Sequence, residues 1–143
     1  MASFLKDISL IAQSVALYRD AELERANITG YQAKYLLAVF NAEGISQDGL
    51  AKRLFINKSN VTRQVGALED AGYLKRVQSA DDRRVMMVYT TEKGKAIIPA
   101  IREANARWRE IVCAGLSENE KQEMARILAV MVENARAYTE ENA

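Results

Sequence analysis

One continuous stretch, from Ser46 to Gly94, constrains the fold of this 143-residue chain more than any other feature. It reads S-x-x-x-L-A-x-x-L, then N-K-S-N-V-T-R-Q-V-x-x-L-E-x-x-G-Y-L, then Q-S-A-D-D-R-R and T-E-K-G. Apolar residues recur at helical steps in the first two parts, and β-forming residues flank the third, so we predict two short helices followed by a basic hairpin. That order is typical of a surface that places a helix in a groove of duplex DNA and a loop beside it.

The ends of these elements are marked by residues with known capping roles. Ser46 and Asn57 precede the two short helices, and such side chains accept hydrogen bonds from the first free backbone N–H groups. Gly72 ends the second helix because glycine readily adopts the left-handed conformation that closes a helix. Two strands are predicted, at residues 73–78 and 85–90.

Longer amphipathic helices are predicted on both sides of the stretch. They cover about residues 3–25, 30–42, 91–115 and 117–140, and capping boxes at Thr29 and Ser117 begin the second and the last of them. The stripe expected to be buried on the second helix consists of Tyr31, Tyr35, Leu36, Val39 and Phe40. The last two helices carry apolar residues at near-heptad steps, which favours pairing with a second copy over an intrachain bundle.

Composition narrows the classes of function. Histidine is absent, which removes the commonest general base and the commonest zinc ligand, and the only cysteine is Cys113. No glycine-rich phosphate loop occurs, and no apolar run approaches the ~20 residues that span a bilayer. We therefore expect no enzyme, no metal, no cofactor and no membrane contact, and a cytoplasmic location. Cys113, late in a helix among small and apolar neighbours, is interpreted as structural rather than redox-active.

The net charge of +1 conceals an uneven distribution. Residues 51–95 hold ten Lys or Arg against five Asp or Glu, whereas the rest of the chain holds ten against fourteen. A basic middle between acidic flanks is expected when one part of a protein meets a polyanion, although chance clustering on a solvated surface would look similar.

The second short helix is the candidate recognition helix. Val61, Val65 and Leu68 are expected to face inward, which leaves these polar residues outward: Lys58, Ser59, Asn60, Thr62, Arg63 and Gln64. Arg63 can bond guanine in bidentate fashion, and Asn60 or Gln64 can bond adenine. An ordinary capped surface helix is the alternative.

The hairpin tip carries a second candidate contact. Arg83 and Arg84 are adjacent on a protruding loop and can enter a minor groove, whose negative potential attracts arginine. Asp82 can orient one guanidinium by a charge-assisted hydrogen bond. A charged tip that only prevents aggregation of the sheet edge is the alternative.

The combined pattern V-T-R-x-V-x-x-L-E-x-x-G-x-L-x-R, S-x-x-D-x-R and T-x-x-G resembles the multiple antibiotic resistance regulator (MarR) family of winged-helix transcription factors. The residues that carry the resemblance are Val61, Thr62, Arg63, Val65, Leu68, Glu69, Gly72, Leu74, Arg76, Ser79, Asp82, Arg84, Thr91 and Gly94. Two positions depart from it: Asn57 stands where aspartate is frequent, and Thr90 where leucine is usual.

The resemblance implies a mainly α-helical fold with a small β-wing. A winged helix-turn-helix would occupy residues 30–91, and residues 1–29 and 92–143 would form a helical dimerisation region. It also implies a homodimer that represses by binding double-stranded DNA at a pseudo-palindromic operator. A small aromatic or anionic effector would bind between the two regions, near Arg19, Tyr31 and Tyr35, although a tyrosine pair four residues apart is more often core.

Two other functions remain compatible with the sequence. The chain can be a winged-helix module that binds a protein, or an architectural protein that binds DNA without sequence preference. Selection from a random duplex pool separates both from a sequence-specific regulator.

Overall fold

Residues 3–142, which the computed structural model describes, form six α-helices and one three-stranded antiparallel sheet. The helices are α1 (Phe4–Leu23), α2 (Gly30–Asn41), α3 (Gln47–Leu54), α4 (Lys58–Asp70), α5 (Glu92–Val112) and α6 (Glu118–Glu141). The strands are β1 (Ile45–Ser46), β2 (Leu74–Gln78) and β3 (Met86–Thr90), and a 3₁₀ helix (Glu24–Ala26) follows α1. The expected mainly α-helical fold with a small β-wing is confirmed.

The predicted caps are present. Ser46 and Asn57 each accept a hydrogen bond from the backbone N–H three residues further on, at 3.0 and 2.9 Å. Both capping boxes, at Thr29 and Ser117, are formed. Gly72 has a φ of +84°, the left-handed conformation expected at the end of α4. Side chains that satisfy free N–H groups therefore mark where these helices begin.

The sheet contains one strand more than the two predicted. β3 lies in the centre, with β2 on one side and β1 on the other, and Ile45 of β1 pairs with Val88 of β3. Both predicted strands are present, as β2 and β3. The third strand, β1, was not predicted because it has only two residues, too few to show alternation. Its second residue, Ser46, also caps α3, and this was the only role that the sequence indicated.

The core lies between α2, α4, the sheet and the first half of α5. Its fully buried members include Tyr35, Leu36, Val39, Leu50, Val61, Val65, Leu68, Val88, Ile98 and Ile101. The inward stripe predicted for α4 is confirmed. The prediction that Tyr31 is buried is wrong, since it is 36% exposed in the first turn of α2, at the edge of the core, with Lys34 over its ring.

The T-x-x-G pattern has a packing explanation. Thr91 Oγ1 accepts a hydrogen bond from the N–H of Gly94 at 3.0 Å and donates to the carbonyl oxygen of Gly72 at 2.6 Å. A Cβ atom on Gly94 would lie 2.2 Å from the carbonyl oxygen of Tyr73. The start of α5 thus packs directly on the backbone that joins α4 to β2, and only glycine fits there.

The chain divides into two compact units, one ending at Trp108 and the other beginning at Arg109. Within the first unit, α1 contacts α5 through a hydrogen bond from Arg19 Nε to Asn105 Oδ1, at 2.6 Å. Within the second, α6 spans Glu118–Glu141, and none of these described residues is buried. In the part of the chain that the structure describes, none of the helices combines the length and the apolar character that crossing a bilayer requires.

Candidate nucleic-acid interface

The N-terminal half of α4 presents the predicted polar residues on its solvent side. Lys58, Ser59, Thr62 and Arg63 are exposed, and Asn60 and Gln64 are half-buried. Val61, which lies between them in sequence, and Val65, which follows them, are completely buried. The core therefore fixes the rotation of α4 about its axis, and all six candidate residues lie outside the core.

Local hydrogen bonds organise these side chains. Asn57 Oδ1 accepts from Ser59 Oγ at 2.8 Å as well as from the backbone N–H of Asn60. The Arg63 guanidinium donates to Asn60 Oδ1, and Thr62 Oγ1 donates to the carbonyl oxygen of Lys58 at 2.9 Å. A guanidinium carries five N–H donors, so the bond to Asn60 orients Arg63 without exhausting its capacity.

A solvent-exposed ion pair joins the first turns of α3 and α4. Lys58 Nζ lies 3.2 Å from Asp48 Oδ2, and the two side chains are 73% and 63% exposed. Exposed pairs of this kind contribute little stability. A phosphate can therefore replace Asp48 as the partner of Lys58 at low cost.

The loop between β2 and β3 is held by its own backbone and by Asp82. The N–H of Ser79 donates to the carbonyl oxygen of Val85 at 2.8 Å. Arg84 donates to both carboxylate oxygens of Asp82, at 3.1 and 3.2 Å, and this interaction holds the pKa of Asp82 below its ordinary value. The neighbouring Arg83 is exposed, and its carbonyl oxygen accepts from Gln78 Nε2 at 2.7 Å. Two cationic side chains thus project from a tip of defined shape.

One arginine, Arg76 of β2, connects the wing to both short helices. Its backbone N–H donates to Glu69 Oε2 at 3.0 Å, and its guanidinium donates to Glu69 Oε1 at 2.9 and 3.2 Å. It also reaches Gln47 Oε1 of α3 at 3.4 Å. The sequence placed Glu69 and Arg76 in the family pattern but gave neither a role. Their spacing of seven residues across a helix end is the signal that could have suggested a pair.

The candidate effector residues fall into two groups. The hydroxyl oxygens of Tyr31 and Tyr35 lie 3.2 Å apart, with the rings edge to face at 5.5 Å. Burial raises the pKa of the Tyr35 phenol above its ordinary value, the bond to Tyr31 adds to this, and the positive charge of Arg63 opposes it. Arg19 pairs with Asn105 instead, and burial lowers the pKa of its guanidinium.

In a comparison with protein families, residues 28–86 match the model of the MarR family. This segment contains α2, α3, α4, β2 and the wing loop. Among curated relatives, the HTH-type transcriptional regulator YybA of Bacillus subtilis is 24% identical over 128 residues, which are 90% of this chain and 85% of that protein.

Solved structures of transcriptional regulators are similar to this chain over almost its whole length. The transcriptional regulator SlyA is 28% identical with a TM-score of 0.91, covering 98% of this chain and 99% of that one. A MarR-family regulator of Listeria monocytogenes, crystallised with a 26-mer DNA, is 26% identical with a TM-score of 0.87, covering 93% and 89%. The similarity therefore extends beyond the winged helix to the long helices.

Proposed function

Because this chain belongs to the MarR family of winged-helix transcriptional regulators, we propose that it is a cytoplasmic homodimeric repressor that leaves a pseudo-palindromic operator when a small effector binds. DNA-binding transcriptional regulation follows from the family itself. The observation that carries the proposal is the outward polar face of α4 beside an arginine-tipped wing. The proposal assigns no catalytic activity to the chain.

In the proposed complex α4 enters the major groove with its N-terminal half. Arg63 bonds a guanine edge, and Asn60 or Gln64 bonds an adenine. Lys58, Ser59 and Thr62 contact phosphates or thymine methyl groups. The exposure of Lys58, Ser59, Thr62 and Arg63 and the ordered Arg63–Asn60 pair support this assignment.

The wing is proposed to reach the adjacent minor groove. Arg83 and Arg84 supply the positive charge, and Asp82 positions Arg84. Narrow minor grooves attract arginine through their negative potential, so this contact adds affinity and reads groove width more than base identity.

Residues 1–29 and 92–143 are proposed to form the dimerisation region, and residues 30–91 the DNA-binding region. Support comes from α6, whose large apolar residues are well exposed, with Ile127 at 44%, Leu128 at 45% and Val130 at 50%. Several exposed large apolar residues on one helix favour a protein interface there. Two copies would present two α4 helices to the two halves of a palindrome.

An aromatic or anionic effector is proposed to bind near Arg19, Tyr31 and Tyr35. The partly buried guanidinium and the paired phenols offer a positive charge and hydrogen-bonding groups. A phenolic acid that prefers the folded dimer should raise its melting temperature. Thermal-shift measurements on the parent and on Arg19→Gln test this, and an equal shift in both would remove Arg19 from the site.

The main test is selection and sequencing of DNA from a random duplex library. We expect a palindromic sequence to be enriched, and affinity for it to rise steeply as salt falls, because neutralised phosphates release counterions. Enrichment of no sequence, with no DNA binding, would favour a protein-binding module. Equal binding of every duplex would favour an architectural role.

Variants of the parent separate the proposed contacts. Arg63→Ala should cost roughly 1–3 kcal/mol on the selected operator and relax base preference. Arg25→Ala removes the same charge at an exposed residue outside the proposed DNA contacts and is the control. The double variant Arg83→Ala, Arg84→Ala should bind the operator more weakly. It should keep the parent's preference for the bases that α4 contacts in the major groove. Parent-like binding by both variants would show that these arginines have other roles.

A further inference from the structure

Arg63, the proposed guanine contact, is bonded to a neutral partner. Its Nη2 donates a hydrogen bond to Oδ1 of Asn60, three residues earlier on α4. Two other arginines of the DNA-binding region, Arg76 and Arg84, bond carboxylates instead. An amide oxygen orients a guanidinium without cancelling its charge. Arg63 is therefore ordered while its positive charge remains available to a polyanion.

The side chain of Asn60 is placed by the turn that carries it. Its backbone N–H donates to Oδ1 of Asn57, the residue that caps α4, at 2.9 Å. The next residue, Val61, is completely buried and fixes the rotation of the helix. Asn60 itself is half-buried, whereas Arg63 is exposed. A short side chain on a fixed turn thus holds the end of a longer one.

Recognition of guanine by arginine depends on this kind of order. A bidentate contact requires the planar guanidinium to align with the edge of the base, and an unrestrained arginine loses rotamer freedom when it does so. A hydrogen bond that is formed before DNA binds removes part of that loss. The bond to Asn60 occupies one of five N–H donors, so the two that guanine needs remain.

The same bond bears on the choice between Asn60 and Gln64 as the adenine contact. An amide recognises adenine by accepting from the N6 amino group through its oxygen and donating to N7 through its nitrogen. The oxygen of Asn60 is already the acceptor for Arg63, so an adenine would have to share that atom. Gln64, one helical turn further on, offers an amide on a longer side chain.

We infer that Asn60 is a positioning residue, which holds the Arg63 guanidinium for guanine and leaves the adenine contact to Gln64. Asn60 thereby determines sequence specificity without touching a base itself. This inference rests on the proposed function, because it requires Arg63 to contact bases in the major groove.

Asn60→Leu and Asn60→Asp in the full chain test this, because both are close to asparagine in size and only aspartate accepts a bond from Arg63. Arg63→Ala first identifies the operator position whose base preference depends on Arg63. There, Asn60→Leu should reduce the preference for the selected base roughly threefold to tenfold, the size expected for one side chain that must be ordered on binding. Asn60→Asp should keep the preference, although its negative charge lowers affinity for every duplex.

A double-mutant cycle separates positioning from an independent base contact. In the Arg63→Ala background, Asn60→Leu should cause no further loss of base preference, because the residue through which it acts is gone. Ser59→Ala is the control for the same helical turn. It removes a hydrogen bond to Asn57 Oδ1 and a proposed phosphate contact, so it should weaken binding to all duplexes alike and leave the base preference unchanged.

Loss of preference at a different base pair, with additive effects in the cycle, would overturn the inference, since Asn60 would then contact a base itself. Equal loss in Asn60→Leu and Asn60→Asp would also overturn it, as would an altered preference in Ser59→Ala. Unchanged base preference in Asn60→Leu, whatever its melting temperature, would show that the bond to Arg63 has no role in specificity. A parent protein that enriches no sequence would refute the proposed function, and the inference with it.

Discussion

The helices α4 and α6 carry similar apolar stripes, yet their surroundings differ. In α4, Val61, Val65 and Leu68 are completely buried by neighbouring elements of the same chain. In α6, Met124, Ile127 and Leu128 are 37–45% exposed, and none of the described residues of that helix is buried.

This difference separates two kinds of information in an amphipathic pattern. The periodicity predicts that a helix forms and which of its faces is apolar, but it does not show which part of the protein, or which partner, covers that face. In the winged-helix region the chain covers its own apolar surface and leaves polar side chains outward. In α6 the large apolar residues are exposed instead.

The largest effect is expected from charges on the apolar face of α6. Met124→Glu with Leu128→Glu should convert the protein to a monomer, because four carboxylates would have to be buried in one symmetric interface. Operator affinity should then fall roughly 100-fold or more, as two linked half-sites become one. Light scattering and operator titration measure both quantities.

The control for that variant places the same charges elsewhere on the helix. Gln122→Glu with Asn134→Glu changes exposed polar positions and should leave both mass and affinity unchanged. A dimeric Met124→Glu, Leu128→Glu protein would show that this face is not the interface.

The next effect tests the internal packing of the winged-helix region. Gly94→Ala should reduce the free energy of unfolding by about 3 kcal/mol, because its Cβ would meet the carbonyl oxygen of Tyr73. Gly66→Ala is the matched control. Its Cβ would lie 3.8 Å from the nearest atom, in Arg76, so it should stabilise α4 by about 0.5–1 kcal/mol. Urea unfolding compares the two, and equal stability would contradict the close approach.

A smaller effect on stability is expected from the ion pair between Arg76 of β2 and Glu69 of α4. Glu69→Gln should cost about 1 kcal/mol at neutral pH, because it removes the charge that receives the bonds from Arg76. These bonds hold the pKa of Glu69 below its ordinary 4.5. Its ionised form therefore stabilises the fold above that value, and the benefit disappears as pH falls through the lowered pKa.

Unfolding at pH 7 and at strongly acidic pH should thus show a difference between parent and Glu69→Gln that vanishes in acid. Glu123→Gln serves as the control, since Glu123 pairs with Arg126 on the exposed surface of α6. We expect the free energy of unfolding of that variant to equal that of the parent at both pH values. A difference that persists in acid would mean that the side chain acts through packing rather than charge.

The smallest effect is expected at the edge of the core. Tyr31→Phe removes a hydroxyl that is 3.2 Å from that of Tyr35, and partial exposure lets water replace the bond, so stability should change by about 0.5 kcal/mol or less. Tyr138→Phe, at a residue that is 70% exposed, is the control. A cost above that of a typical buried hydrogen bond would place Tyr31 inside the core after all.

Much of the fold could be predicted because its signals are local. Ser46, Asn57 and Gly72 mark helix ends by side-chain or backbone chemistry that acts within a few residues. The stripe of Val61, Val65 and Leu68 fixed the inward face of α4. The two-residue strand β1 was missed because pairing of Ile45 with Val88 depends on contacts 43 residues apart in sequence.

The residue types of the site could be predicted from the sequence, but the hydrogen bonds between its elements could not. The outward face of α4 and the arginines of the wing follow from pattern and composition. The bonds from Arg76 to Glu69 and Gln47 do not, because they require three elements to meet in space.

The guanidinium of Arg76 bonds both α3 and α4, so the wing and these two helices are held together as one DNA-binding unit. In the proposed homodimer, two such units would lie on the two halves of an operator. An adjustment to unevenly spaced half-sites would then fall on the region between the copies rather than within either DNA-binding unit.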